Sequence, residues 1–234
     1  MEALEERTLL LTGTEGMEKL RSARVVLFGV GGVGSFAAEA LARAGIGWIR
    51  LVDYDRVNAS NLNRQLVALH STLGLPKVEV MRQRILDINP RCRVEAIMDY
   101  FRLEHLVLED GGSPDFVVDA IDMVTAKLEM LTEAHHRGIP VISSMGAGNR
   151  LDNTGFRIAD ISRTQTCPLA RVMRRELKNR GITRGIPVVY SEVPADTSRK
   201  PMEEGRPVIG SISYVPGTAG LYLAGYVIRE LINR

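Results

Sequence analysis

The sequence predicts an α/β fold: a Rossmann-like, doubly wound, mostly parallel sheet extended by C-terminal, antiparallel strands. Three observations predict it. Short β-branched runs alternate with helix-period segments as far as Met145. The links between them are short, which favours parallel strands joined by helical crossovers. The first unit also carries the spacing Gly29-x-Gly31-x-x-Gly34, between the apolar run "RVVL" and the helix-like "FAAEALARAG".

Taken in order, residues 24–29, 48–53, 93–98, 116–120 and 140–143 read as strands. Residues 33–44, 77–88, 103–108 and 124–136 read as the helices between them. Beyond Met145 the pattern changes, and residues 156–161, 187–192 and 211–214 read as further strands. The segment "CPLARVMRRELKNRG" reads as a helix with Thr166 as N-cap, Pro168 in its first turn and Gly181 as its stop. Leu169, Met173 and Leu177 fall on one of its faces, and Arg171, Arg175 and Lys178 on another. Residues 194–207 are polar and rich in turn formers, which predicts a mobile loop. The closing helix sets Gly217, Gly220 and Ala224 near one face, for close packing on the sheet or on a dimer partner.

The 234 residues suffice for one unit with a sizeable core, and 45% hydrophobic with 25% charged residues is ordinary globular composition. A formal charge of +2 excludes polyanion binding by bulk charge, so any nucleic-acid contact must come from a local patch. Only Cys92 and Cys167 occur, with no CxxC, which excludes a zinc ribbon and a disulfide framework. The start "MEALEERTLL" lacks a signal-peptide core. The apolar stretch "GTAGLYLAGYVI" is too short and too glycine-rich for a span of roughly 20 residues. The expectation is a soluble, cytoplasmic protein without membrane association.

A glycine turn of this kind brings helix-start N–H groups onto a phosphate, and suits a nicotinamide, a flavin or ATP equally. Asp53 follows about 20 residues on, where a carboxylate takes ribose hydroxyls. The next segment separates the choices. "DYDRVNASNLNRQ" is amide-rich and ends in Arg64 and Gln65, Lys77 opens a helix, and Asp122 lies just past a strand. Attack on the α-phosphate of ATP needs cations as pyrophosphate leaves, and a carboxylate to hold magnesium on the phosphates. Singly, Arg64 and Lys77 read as surface charges, Asp122 as a helix cap, and Asn58, Asn61 and Asn63 as turn formers. Together, behind a glycine fingerprint and Asp53, they favour ATP.

These motifs, with "KVEVMRQRILDINP" and "DAIDMVTAK", resemble the adenylating superfamily of ubiquitin-activating, ThiF, MoeB and HesA proteins over nearly the whole chain. The resemblance implies a nucleotide-binding set of Gly29, Gly31, Gly32, Gly34, Asp53, Asp55, Asn61, Arg64, Gln65, Lys77 and Asp122. It implies that Asp122 serves magnesium and that Arg7, on an N-terminal arm, crosses a homodimer into the partner's site to join Arg64, Lys77 and Asp122 in catalysis. The chain then divides into an arm (1–22), an ATP-binding half (23–150) and a substrate- and RNA-facing half (151–234).

Within the superfamily, "RTLLLTGTEGMEKL", "CPLARVMRREL" and "GSISYVPGTAGLYLAGYVI" resemble the tRNA threonylcarbamoyladenosine dehydratases. That branch implies adenylation of the threonylcarbamoyl carboxylate beside the tRNA anticodon, then ring closure with loss of AMP. Arg163, Arg171, Arg174, Arg175, Lys178, Arg180 and Arg184 cluster against one nearby acid, Glu176, and become candidates for RNA phosphate contact. The sulfur-carrier activators of the superfamily bind zinc through two CxxC pairs; this chain has none, so no zinc is expected. The segment 181–234 also lacks the thioester cysteine of the ubiquitin-activating relatives. Activation of a ubiquitin-like sulfur carrier is the alternative activity, and a non-catalytic binding protein of the same fold is the second. A sulfur-transfer protein stays open as a partner. Cys92 is expected to be buried; Cys167 opens the basic helix, where a helix start can lower a thiol pKa, yet a structural role is favoured for both.

Overall fold

The computed structural model of the protein describes residues 4–196, 198, 202–203 and 206–234. Helix α1 (Glu6–Ser22) precedes β1 (Arg24–Phe28), α2 (Gly34–Arg43), β2 (Trp48–Val52), α3 (Lys77–Ile88) and β3 (Arg93–Ile97). Then come β4 (Phe116–Asp119), α4 (Val124–His136), β5 (Val141–Ser144), β6 (Phe156–Asp160), α5 (Pro168–Asn179) and β7 (Pro187–Ser191). Two-residue strands β8 (Met202–Glu203) and β9 (Arg206–Pro207) form a separate antiparallel pair, and α6 (Tyr214–Ile232) closes the chain. The expected loop over 194–207 therefore lies partly outside the described residues.

Seven strands form one sheet in the order β3-β2-β1-β4-β5-β7-β6. All neighbours run parallel except β6 and β7. The period-2 alternation of a strand explains its two cores. On β1, Val25 and Leu27 face one apolar layer with Leu20, Leu41, Ile49 and Leu223. Val26 and Phe28 face the other, with Val117, Met130, Met173 and Leu177. A sheet covered on both sides reads in sequence as continuous apolar runs, which is why β1, β2 and β4 were legible.

On α6, Gly217 and Gly220 leave room for Phe36 and for the Val33 carbonyl, so this glycine face packs on α2 of the same chain. Among the described residues, no helix is long and apolar enough to cross a membrane.

Three local expectations are corrected. Residues 103–108 hold only a 3-10 turn, Leu103–Leu106. The buried Arg50 guanidinium donates to the carbonyls of His105 (3.0 Å) and Val107 (2.8 Å), acceptors that a continuing helix would need. Residues 211–214 form no strand. Tyr214 starts α6 instead, and the preceding chain is tied by side chains: the Asn63 amide donates to the Ser211 carbonyl, and Asn149 Oδ1 accepts the Gly210 N–H. Finally, Cys167 and not Thr166 is the N-cap of α5. Thr166 has φ +57°, and its hydroxyl donates to the Ser191 carbonyl.

Candidate nucleotide site

The strand order reverses between β1 and β4, and open α/β sheets bind ligands beyond the carboxyl ends of their strands at such a point. A cavity of about 620 Å³ opens there. Its floor is the turn from Phe28 into α2. Gly29 has φ +86°, a conformation L side chains avoid, and a Cβ there would press on the Ala120 carbonyl. A Cβ on Gly34 would overlap the Gly29 carbonyl. Gly31 and Gly32 line the cavity, and the first turn of α2 supplies N–H groups without intrahelical partners.

Asp53 follows β2, and its carboxylate accepts the N–H groups of Val30 (2.6 Å) and Asp55 (2.8 Å). It thereby ties the glycine turn to the next loop. Burial pushes the Asp53 carboxyl above its ordinary range, against these hydrogen bonds and the nearby Lys77 charge. Lys77, at the start of α3, is 5% exposed and donates to the Asp55 carboxylate at 2.7 Å. Arg64 sits at the rim, held by the Ser60 carbonyl (2.7 Å) and Asn63 Oδ1 (2.9 Å), with no carboxylate partner among the described residues.

The asparagines divide. Asn61 Oδ1 accepts the Asn58 N–H and Asn58 Oδ1 accepts the Ser60 N–H, so both cap one 3-10 turn, yet Asn61 also lines the cavity. Asp122, just past β4, lies exposed on the cavity wall.

Thus Gly29, Gly31, Gly32, Asp53, Asp55, Asn61, Arg64, Gln65, Lys77 and Asp122 share one cavity, and Gly34 stands directly behind it. Arg7 does not share it. That residue is exposed on the first turn of α1 and is absent from the cavity wall. Cys92 and Cys167 are both buried; burial pushes the Cys92 thiol up to about 12.

Sequence reasoning missed the remaining walls. Asp99, Tyr100 and Phe101 follow β3, and Tyr100 stacks on Tyr54 with ring centroids 4.0 Å apart. Their strand-end position was the available signal. The wall continues through Gly146, Ala147, Gly148, Leu169, Ile209 and Ser211; Leu169 and Ser211 fall in quoted motifs that were not read as lining the site.

Two features fit a bound nucleotide. Gln65 Oε1 is buried and meets no donor among the described residues, and a ribose hydroxyl or a metal-held water could supply one. Four carboxylates (Asp53, Asp55, Asp99, Asp122) also line the cavity against only two full cations, Arg64 and Lys77. A polyphosphate entering that balance calls for a metal cation.

Comparison with known proteins agrees with this geometry. The family model described as "ThiF family" matches residues 5–234. The chain belongs to the ThiF family. It is 44% identical over 238 residues to the tRNA threonylcarbamoyladenosine dehydratase of Bacillus subtilis (strain 168), covering 97% of this chain and 94% of the relative. The crystal structure of E. coli tRNA N6-threonylcarbamoyladenosine dehydratase, TcdA, in complex with ATP superposes with a TM-score of 0.88 at 32% identity. That match covers 100% of this chain and 96% of the other. The E. coli (strain K12) molybdopterin-synthase adenylyltransferase is 35% identical, but over only 62% of this chain and 58% of its own.

Proposed function

We propose that this ThiF-family chain is an ATP-dependent dehydratase of threonylcarbamoyladenosine in tRNA. The near-full-length match to a named dehydratase carries the reading, in contrast to the partial match to the sulfur-carrier activator. In the reaction, the threonyl carboxylate attacks the α-phosphorus of ATP and pyrophosphate leaves. The neighbouring ureido group then attacks the acyl carbon, the ring closes and AMP departs with the carboxylate oxygen. The net change in the nucleoside is loss of water.

The residues take roles their positions support. The glycine turn and the start of α2 receive phosphates. Asp53 takes the ribose hydroxyls. Arg64 and Lys77 stabilise charge on the phosphates, Lys77 exchanging Asp55 for a phosphate oxygen or sharing between them. Asp122 would hold magnesium, whose charge would offset that of the departing pyrophosphate. Ring closure is intramolecular, since both reactive groups belong to one nucleoside; holding that nucleoside near Gly146–Gly148 would keep the ureido group aligned on the acyl carbon. No zinc and no thiol step is proposed, since both cysteines are buried and lie far apart in sequence.

The tRNA reading favours a local basic surface and a cytoplasmic setting. Arg163, Arg171, Lys178, Arg180 and Arg184 are exposed; Arg163 lies near the Asp160 carboxylate and helps to hold it below its ordinary range. Arg175 pairs with Glu176 at 2.8 Å, and Arg174 is spent on the Thr164 carbonyl. Because Arg7 lies off its own cavity, its catalytic role requires a second copy of the chain. The exposed Leu10 (77%) and Leu11 (90%) beside it supply apolar surface for that homodimer. The reading is tested by supplying tRNA that bears threonylcarbamoyladenosine. ATP should yield AMP and pyrophosphate only in its presence; formation of ADP and phosphate would overturn adenylation.

A further inference from the structure

Directly behind the cavity wall lies a charged cluster that the proposed chemistry does not use. Lys127 and Asp119 are both fully buried, with 2.6 Å between Nζ and Oδ2. The ammonium spends its other two protons on Ser143 Oγ (3.1 Å) and the Ser144 carbonyl (3.0 Å). Asp119 accepts the Ser143 hydroxyl at 2.6 Å on Oδ2 and the Ile121 N–H at 3.1 Å on Oδ1. Three elements meet in this cluster: the end of β4, the end of β5 and the first turn of α4.

Stability does not explain it. Taking two charges out of water is expensive, and apolar residues of similar volume serve as well or better in most buried ion pairs. The partners suggest another role. One carboxylate oxygen shapes the turn Ala120–Ile121–Asp122, and the ammonium holds the β5 end at Ser144, where the wall continues to Gly148. A charged hydrogen-bond set fixes distance and direction more tightly than apolar contact does.

We propose that Lys127 and Asp119 are positioning residues, which set the Asp122 carboxylate relative to the phosphates and lock that turn to the Ser144–Gly148 wall. The inference rests on the ATP and magnesium reading of Asp122 given above. It predicts that the pair governs the metal-dependent part of nucleotide binding, while the glycine turn, Asp53 and Lys77 keep the metal-independent part.

Two double variants separate positioning from bulk. Asp119→Leu with Lys127→Met removes both charges and leaves the Ile121 N–H without an acceptor. Asp119→Asn with Lys127→Met also removes both charges but keeps an oxygen for it. Thermal stabilisation by ATP is measured with and without magnesium, and magnesium is titrated in AMP release. The leucine form should keep the shift given by ATP alone. It should need about tenfold more magnesium for the added shift and for half-maximal AMP release. The asparagine form should recover to within about threefold of wild type. Ser143→Ala, the mildest change, should raise the magnesium requirement about threefold without lowering the melting midpoint, and decides the matter if the leucine form does not fold. Wild-type magnesium dependence in a folded leucine form, or in Ser143→Ala when the leucine form is lost, overturns the positioning role. An equal loss in the leucine and asparagine forms also overturns it, because the restored acceptor for the Ile121 N–H would then position nothing. If wild type itself shows no magnesium-dependent shift with ATP, the reading of Asp122 falls instead.

Discussion

Arg64, half-buried, and Asp122, exposed, line one cavity and differ from its other charges in having no opposite charge beside them among the described residues. Their removal should therefore spare the fold. Surface changes of this kind stay within about 0.5 kcal/mol, whereas loss of a group that stabilises transition-state charge costs about 3–4 kcal/mol. Arg64→Ala and Asp122→Ala should each lower ATP-dependent turnover on the order of 100-fold or more, with unchanged thermal midpoints. Near-normal turnover would remove that residue from the chemistry. The cysteines predict the opposite. Cys92→Ser with Cys167→Ser should retain most activity, any loss tracing to stability, because burial keeps the Cys92 thiol protonated and no step needs either thiol. A folded double variant that binds ATP and tRNA without forming product would demand a covalent intermediate.

Asp53 makes a pH prediction. Because burial raises its carboxyl, the folded chain binds that proton more tightly than the unfolded chain. The resulting stabilisation is present below the ordinary carboxylate range and is lost as pH rises through the raised value. Ligand affinity runs the other way, since ribose hydroxyls donate to the ionised carboxylate. Adenosine, which carries no titrating phosphate, should bind more weakly as pH falls through the raised Asp53 value. Calorimetric titration across acidic pH would show a flat affinity if Asp53 does not hold the ribose.

Among the elements, α5 carries the partner prediction. Its burial follows the sequence pattern at Met173 and Leu177, leaving Arg171, Arg175, Lys178 and Arg180 outward. Changing Arg171 and Lys178 to Glu should weaken tRNA binding at low salt. The slope of log affinity against log salt should fall by about one for each RNA phosphate that is no longer neutralised. An unchanged slope would move the RNA surface elsewhere. Elements with their own periodicity were legible before the structure: the glycine turn, β1 to β5, and α3 with Lys77 at its start. The errors fell where distant groups decide. Arg50 takes the carbonyls of 105 and 107, and Asn63 and Asn149 hold 210–211, so neither segment follows its local pattern. The Tyr54–Tyr100 stack was illegible for the same reason, because it joins segments that the sequence keeps apart; Asp119 and Lys127 stand only eight residues apart, at the two ends of "DAIDMVTAK", but neither residue type announces a buried ion pair.

At the scale of the whole molecule, the position of Arg7 makes the assembly testable. Arg7→Ala and Asp122→Ala should each be inactive alone and regain activity when mixed under conditions of subunit exchange, because a mixed dimer assembles one intact site. The absence of recovery despite demonstrated exchange would confine the chemistry to single chains. The central claim, that this fold and cavity dehydrate a tRNA nucleoside through an adenylate, is tested most directly on the product. The protein is incubated with ATP, magnesium and tRNA bearing threonylcarbamoyladenosine, and the tRNA is digested under mild conditions for mass analysis. The account predicts a nucleoside lighter by one water, formed in step with AMP and absent without ATP. An unchanged nucleoside mass, while the protein binds both ATP and tRNA, would contradict it.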